Sequence, residues 1–281
     1  VTRLTTRVNG VAVDCIDSSD RGLLYGDGLF ETMAVRNGRV PSWHRHMARL
    51  QAGCERLGIP AVDSMQLAQE AEELLAVAGH AVLKLIVTRG SGGRGYRVPQ
   101  EMAPRRILQL HPWPEFPPAA QETGVAARLC STRLCHNPLL AGIKHLNRLE
   151  QVLARREWDD PQTGEGLLLD VDGCLVEGTM SNLFLVRQQL LLTPDLRNCG
   201  VAGIMRSIIL DRAERLSLPV KIGKLDMEDL LLADEVFLCN SLIGIWPVIA
   251  VDGRPYCKGE ITLGMQRMIQ AEEDDGSAWH P

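Results

Sequence analysis

Of the thirty basic residues in this chain only Lys84, Lys144, Lys221, Lys224 and Lys258 are lysines. Lys144 stands in AGIKHLNRLEQVLARREW (141–158), between a short apolar segment and a run with apolar residues at Leu146, Leu149 and Leu153. That spacing predicts an amphipathic helix over 145–157. An amine at a helix N-terminus feels the positive end of the macrodipole, which favours its neutral form. Schiff-base chemistry requires such a neutral amine. A solvated lysine opening a helix is the plainer alternative.

Glu177 lies in CLVEGTMSNLFLV (174–186), a carboxylate among apolar strand residues. Inside a protein it needs a partner, and a protonated ring nitrogen would supply one; at a strand end it could simply face water. Gly200-Val201-Ala202-Gly203-Ile204-Met205-Arg206 is a glycine-flanked turn running into a helix. Backbone N–H groups at such a start form an anion site suited to phosphate, though many helices begin after glycine. RGSGGRGY (89–96) brings Arg89, Arg94 and Tyr96 to a flexible loop, either a carboxylate-binding lid or a plain surface loop. His44-Arg45-His46 reads as a solvated helix face rather than a metal pair. No GxSxG or P-loop sequence occurs, and Gly26-Asp27-Gly28 is too short for a dinucleotide fingerprint. The eight cysteines form no CxxC pair, so no metal centre is expected and the thiols read as reduced, cytoplasmic ones.

The elements that must position these residues form two groups. In the first, Asn-Gly turns predict hairpins over 8–17 and 29–43. Met47, Leu50, Cys54 and Leu57 predict a helix from about Ser42, ended by Gly58 and Pro60. A second helix is expected over 64–78, capped by Asp63 or Ser64, followed by strands over 81–90 and 105–113. His111–Pro118 holds four prolines and breaks the pattern. Domains are therefore expected at 1–112 and 122–281, with a linker at 113–121 and Lys144 in the second. Beyond the linker come strands at 125–132, 166–170 and 174–192, a helix from Gly203, a strand at 219–225 and a short helix at 227–233. Strands at 235–239 and 245–251 precede a terminal helix from Ile261 and a polar tail, 272–281. The class is α+β: two α/β domains with largely antiparallel sheets, not a doubly wound sheet.

Composition narrows the function. The 281 residues are 45% apolar and 23% charged with a net charge of −5, ordinary for a globular protein. Aromatics make up 4%, too few for base-stacking platforms, and no basic run suggests a phosphate-backbone footprint. No nucleic-acid partner is expected. No stretch of about 20 apolar residues predicts a membrane span, and VTRLTTRVNG lacks the apolar core of a signal peptide, so a cytoplasmic location is expected.

Taken in order, DRGLLYGDGLFET (20–32), HMARL (46–50), VTRGSGGRGY (87–96), GIKHLNRLEQVLAR (142–155), VEGTMSNLF (176–184), GVAGIMR (200–206) and CNSLIGIWPV (239–248) resemble the fold-type IV pyridoxal-phosphate enzymes. That family groups D-amino-acid and branched-chain aminotransferases with 4-amino-4-deoxychorismate lyases, and RGSGGRGY with KHLNRLEQVL resembles the lyase branch most. The resemblance implies pyridoxal 5'-phosphate bound to Lys144, with Glu177 on its ring nitrogen. It implies phosphate contacts from Arg49, from Gly203, Ile204 and Met205, and from Asn240 and Ser241. Thr32 falls where the lyases carry a threonine beside the cofactor, and Arg94 and Tyr96 where a substrate carboxylate is bound. Glu31 instead follows the branched-chain enzymes. The implied activity is lysis of 4-amino-4-deoxychorismate, a small-molecule substrate, to 4-aminobenzoate and pyruvate in folate biosynthesis. The alternative is a D-amino-acid or branched-chain aminotransferase. A homodimer is implied as well, with its active site between the domains.

Overall fold

The computed structural model describes residues 5–274 except Asp14, Val77, Pro99, Met102 and Pro118. The polar tail therefore lies outside the described residues from 275 onward. Two compact units emerge: residues up to Pro114 with Ile143–Asn147, and Glu115–Gly142 with the chain from Arg148.

The first unit contains β1 (Thr5–Val8), α1 (Arg21–Tyr25), β2 (Gly28–Arg36), α2 (Trp43–Leu57), α3 (Ser64–Leu75), β3 (His80–Thr88) and β4 (Arg105–Pro112). Its sheet runs β1-β4-β3-β2 and is antiparallel throughout. α2 forms where the spacing predicts it, burying Met47, Leu50 and Cys54, and stops at Gly58 in the left-handed region (φ 62°). Asp63 caps α3 by accepting from the N–H groups of Met65 and Gln66. Neither expected hairpin extends into a second strand. Across the turns the pairing consists of the isolated bridges Val8–Val11 and Arg36–Arg39, while Val8 and Arg36 keep their ladder partners Ile107 and His80.

Lys144 departs from expectation twice. Its segment belongs to the first unit, since the Phe30 N–H donates to the Lys144 carbonyl (2.9 Å) and the Leu146 N–H to the Gly28 carbonyl (3.0 Å). A Cβ on Gly28 would sit 2.5 Å from the Val87 carbonyl oxygen and 2.8 Å from Leu146 Cδ1, so glycine is what permits this approach. The helix begins only at Leu149, so Lys144 does not open it and instead lies next to the bridge between His145 and Leu29 of β2. Strand-edge hydrogen bonds won over helix propensity.

The second unit contains α4 (Ala120–Thr123), β5 (Val125–Leu134), α5 (Leu149–Arg155), β6 (Thr163–Asp170), β7 (Leu175–Gly178), β8 (Asn182–Arg187) and β9 (Leu190–Pro194). It continues with α6 (Ile204–Arg215), β10 (Val220–Gly223), α7 (Met227–Leu231), β11 (Glu235–Asn240), β12 (Gly244–Val251), β13 (Arg254–Pro255) and α8 (Glu260–Asp274). The strands follow the order β10-β9-β8-β11-β12-β5-β6-β7, and β7 also pairs with β8, which closes six strands into a ring. β5 runs parallel to both its neighbours; most other pairings are antiparallel. Both faces of β8 are covered, which explains its unbroken apolar run. Leu183 and Leu185 join one core with Leu167, Leu238 and Trp246, while Phe184 and Val186 join another with Met205, Ile209 and Met265.

Candidate active site

In the first unit, β2 and α2 bring together groups that the sequence does not advertise. Glu31 is 1% exposed and receives hydrogen bonds from Arg49 through Nε (2.8 Å) and Nη2 (2.5 Å). His46 Nδ1 lies 2.7 Å from the same carboxylate. Burial alone would raise the Glu31 pKa, but the charge of Arg49 and the hydrogen bonds from His46 and Arg49 outweigh it and bring it to about 2. Burial pushes the His46 imidazole down, towards its neutral form. His46 is thus a buried residue and not part of a solvated face, and only His44 is exposed. The signal was available in principle: a buried face of α2 at 46, 47, 50, 53 and 54 is helical spacing, and it includes His46.

Lys144 Nζ lies 4.5 Å from the centre of the Phe30 ring, and Lys84 Nζ lies 5.5 Å from the same ring. Thr32 is two residues along β2 from Phe30, hence on the same face and opposite Glu31. The 89–96 loop is anchored rather than loose. Arg21 donates to the carbonyls of Gly95 (3.0 Å) and Tyr96 (3.3 Å), and the Gly95 N–H donates to the Tyr25 hydroxyl (3.1 Å). Arg89 is a structural residue, bonded to Asp27 and to the carbonyls of Leu57 and Gly58 at the end of α2. Arg94 and Tyr96 remain exposed, with the Tyr96 ring edge-on to Tyr25.

In the second unit, Glu177 is buried on β7, opposite Asn182 of β8. The Val201 N–H donates to its Oε2 (2.8 Å) and Gln151 Nε2 to its Oε1 (3.4 Å). Asn182 Nδ2 donates to the Val201 carbonyl (2.8 Å), so one loop is held by both strands. That loop leads to α6, whose N-cap, Gly203, contributes no side-chain cap. A Cβ on Gly203 would fall 2.0 Å from Asn182 Oδ1. Any larger residue there would have to displace the Asn182 side chain, although the Gly203 φ of −69° suits any residue. The Ile204 and Met205 side chains go into the core while their backbone forms the first turn.

Asn240 spends its side chain on its own loop. Its Oδ1 accepts from the N–H groups of Leu242 and Ile243, and its Nδ2 donates to the Met180 carbonyl. Ser241 lies in the turn so shaped. Glu165, which the sequence reading passed over, supports the neighbouring 178–181 turn. It accepts from Thr179 Oγ1 (2.5 Å), Ser181 Oγ (2.8 Å) and the N–H groups of Gly166, Thr179 and Met180. Burial raises its pKa despite these donors.

The first unit thus offers a lysine beside an aromatic ring, and the second a buried carboxylate held by a backbone N–H and a helix start whose N-cap glycine brings no side-chain cap. Residues 28–251 match the amino-transferase class IV family, and the chain belongs to that family. It is 51% identical to 4-amino-4-deoxychorismate lyase of Pseudomonas aeruginosa, whose crystal structure superposes with a TM-score of 0.93 over 96% of this chain and 99% of that one. Aminodeoxychorismate lyase of Vibrio harveyi is 37% identical over 264 residues, 94% of this chain and 97% of its own. The branched-chain amino acid aminotransferase of Escherichia coli shares the fold at a TM-score of 0.84 and 26% identity, covering 95% and 93% of the two chains.

The family's cofactor is pyridoxal 5'-phosphate. The residues fit it: the start of α6 offers backbone donors without a competing side-chain cap, suited to a phosphate. Beside Glu177, Gln151 Oε1 is a buried acceptor with no hydrogen-bond partner among the described residues. A buried carboxylate with such a neighbour suits a protonated ring nitrogen.

Proposed function

We propose that this chain is a pyridoxal-phosphate-dependent lyase that converts 4-amino-4-deoxychorismate to 4-aminobenzoate and pyruvate. One observation carries the reading: identity to the P. aeruginosa lyase is 51% across nearly both whole chains, against 26% to the E. coli aminotransferase. Of the residues, Lys144 holds the cofactor covalently, Glu177 pairs with its ring nitrogen, and Arg49 and the backbone of Gly203, Ile204 and Met205 bind its phosphate. Asn240 acts by shaping the loop that presents Ser241 to the same phosphate, since its own side chain is committed. Glu31 fixes the orientation of Arg49.

When bound, the cofactor supplies an electron-accepting ring that stabilises the charge left by C–H cleavage. Lys144 Nζ, a free amine once its covalent hold on the cofactor has passed to the substrate's own amine, would take the proton from the substrate ring carbon that bears nitrogen. The C–O bond to the enolpyruvyl group then breaks and the ring becomes aromatic, a driving force that belongs to the substrate. Lys144 Nζ, or Thr32 through its hydroxyl, returns a proton to enolpyruvate and gives pyruvate. Arg94 and Tyr96 are assigned the substrate carboxylate, a reading supported by their exposure on an anchored loop.

The same reading includes a homodimer in the cytoplasm, serving folate biosynthesis. Leu149, Val152 and Leu153 on α5 are 76%, 52% and 51% exposed, an apolar stripe at helical spacing that suits a second copy. An aminotransferase is the second reading, favoured by 30% identity to the E. coli branched-chain enzyme over 259 residues. Incubation with 4-amino-4-deoxychorismate and no keto acid decides between them. Equal amounts of 4-aminobenzoate and pyruvate over many turnovers establish the lyase; turnover only with a keto-acid acceptor establishes the aminotransferase.

A further inference from the structure

His136, Asp170 and Cys199 come from three separate stretches of the second unit, yet their donor atoms lie within 4.8 Å of one another. His136 follows β5, Asp170 ends β6, and Cys199 precedes the turn into Gly200. His136 Nε2 is 2.9 Å from Asp170 Oδ2. The other carboxylate oxygen is fixed by the N–H groups of Asp172 (3.0 Å) and Cys174 (2.8 Å), which leaves Oδ2 to the imidazole. The Asn137 N–H donates to the Asn198 carbonyl (2.8 Å), which pins the His136 and Cys199 segments side by side.

We propose that His136 Nε2, Asp170 Oδ2 and Cys199 Sγ form a binding site for a thiophilic divalent cation of the zinc class, with water as the fourth ligand. One nitrogen, one oxygen and one sulfur donor select such an ion over magnesium or calcium, which take oxygen sets. Bond lengths of about 2.0–2.3 Å put tetrahedral ligand atoms about 3.3–3.8 Å apart, so the His136–Asp170 pair opens by less than about 1 Å to admit the ion. The two N–H groups on Asp170 Oδ1 supply the outer contacts that orient a ligating carboxylate. His136 is 26% exposed, which leaves an entry path and room for the water, whereas Cys199 belongs to a buried apolar cluster with Leu134, Leu168, Val176 and Leu196. Burial pushes the Cys199 thiol up to about 12, so coordination must release its proton to solvent. The ion would tie the end of β6 to the 198–201 loop, whose Val201 N–H holds Glu177. The site stands on its own geometry and does not depend on the proposed reaction.

Metal-stripped, cofactor-loaded protein titrated with Zn2+ by calorimetry, and with Co2+ by difference absorbance against the same protein without metal, tests this. The expected result is one ion per chain, with the thiolate-to-cobalt charge-transfer band and intense visible bands of a tetrahedral sulfur-ligated ion. Cys199→Ala and His136→Gln should each weaken binding by more than about 10-fold and remove or shift those bands. Cys135→Ala, at the exposed neighbouring thiol, should leave both unchanged. Should Cys199→Ala fail to fold, the partly exposed His136→Gln carries the test alone. Absence of stoichiometric binding, binding that survives the ligand substitutions, or binding lost with Cys135 overturns the proposal.

Discussion

Glu31 and Arg49 meet through two parallel hydrogen bonds of 2.8 and 2.5 Å at a carboxylate that is almost wholly buried. The pair joins β2 to α2, and His46 closes it from the helix side. Removing the carboxylate charge takes from the Arg49 guanidinium a buried partner that it holds through two hydrogen bonds. Glu31→Gln should therefore destabilise the protein by about 3 kcal/mol and weaken cofactor affinity through a misplaced Arg49. Denaturant unfolding and cofactor titration of the variant check both effects.

The same pair sets a pH dependence. Glu31 titrates at about 2 when folded, against 4.5 ordinarily, so the folded state prefers its charged form. Its contribution is complete above pH 4.5 and is lost as pH falls from there towards 2. The stability gap between wild type and Glu31→Gln should accordingly narrow through that window. Parallel unfolding curves at neutral and acid pH measure it; a gap that stays constant would refute the ionised assignment.

Lys144→Ala should reduce turnover by at least about 1000-fold while the protein stays folded. Borohydride should then no longer fix the cofactor to the chain, a readout independent of activity. Retention of borohydride labelling would place the covalent link on another lysine.

Gly203→Ala should cost about 1–3 kcal/mol and lower phosphate affinity, because the new Cβ meets Asn182 Oδ1. The backbone is unstrained there, so the cost is steric alone. Combined with Asn182→Ala, the same substitution should cost less than it does by itself. Thermal unfolding of the four proteins in that cycle decides it.

Leu153→Glu places a charge in the exposed stripe of α5 and should shift the chain towards monomer without changing its secondary structure. Sedimentation of wild type and variant measures this directly. An unchanged state in the variant would show that α5 is not the contact surface.

Local patterns in the sequence carried most elements: α2 and its Gly58 stop, the Asp63 cap, and the glycine start of α6 follow from spacing and capping chemistry. Lys144 was misread because Leu146, Leu149 and Leu153 are helically spaced, whereas the chain first adds to the edge of β2 and only then coils. A sequence window sees propensity but not the strand that competes with it. His46 was misread as solvated, and Glu165 passed over, for a related reason. Each is a polar residue whose partners come from elsewhere in the chain: Glu31 fifteen positions earlier, and Thr179 and Ser181 beyond β7. The 136, 170 and 199 positions have no short motif spacing at all. Loop anchoring of 89–96 by Arg21 was equally hidden, since a glycine-rich stretch looks loose until its carbonyls find a donor.

The strand ring of the second unit is sealed between β7 and β8 at one register pair, Glu177 with Asn182. Those two residues also hold the Val201 loop, one through its N–H and the other through its carbonyl. The seam of the barrel and the clasp of the loop are therefore one object. A substitution at 177 or 182 touches the closure of the ring and the hold on the loop together. Amide protons near 177 and 182 should exchange in step with the Val201 amide, a slow clock common to fold and site.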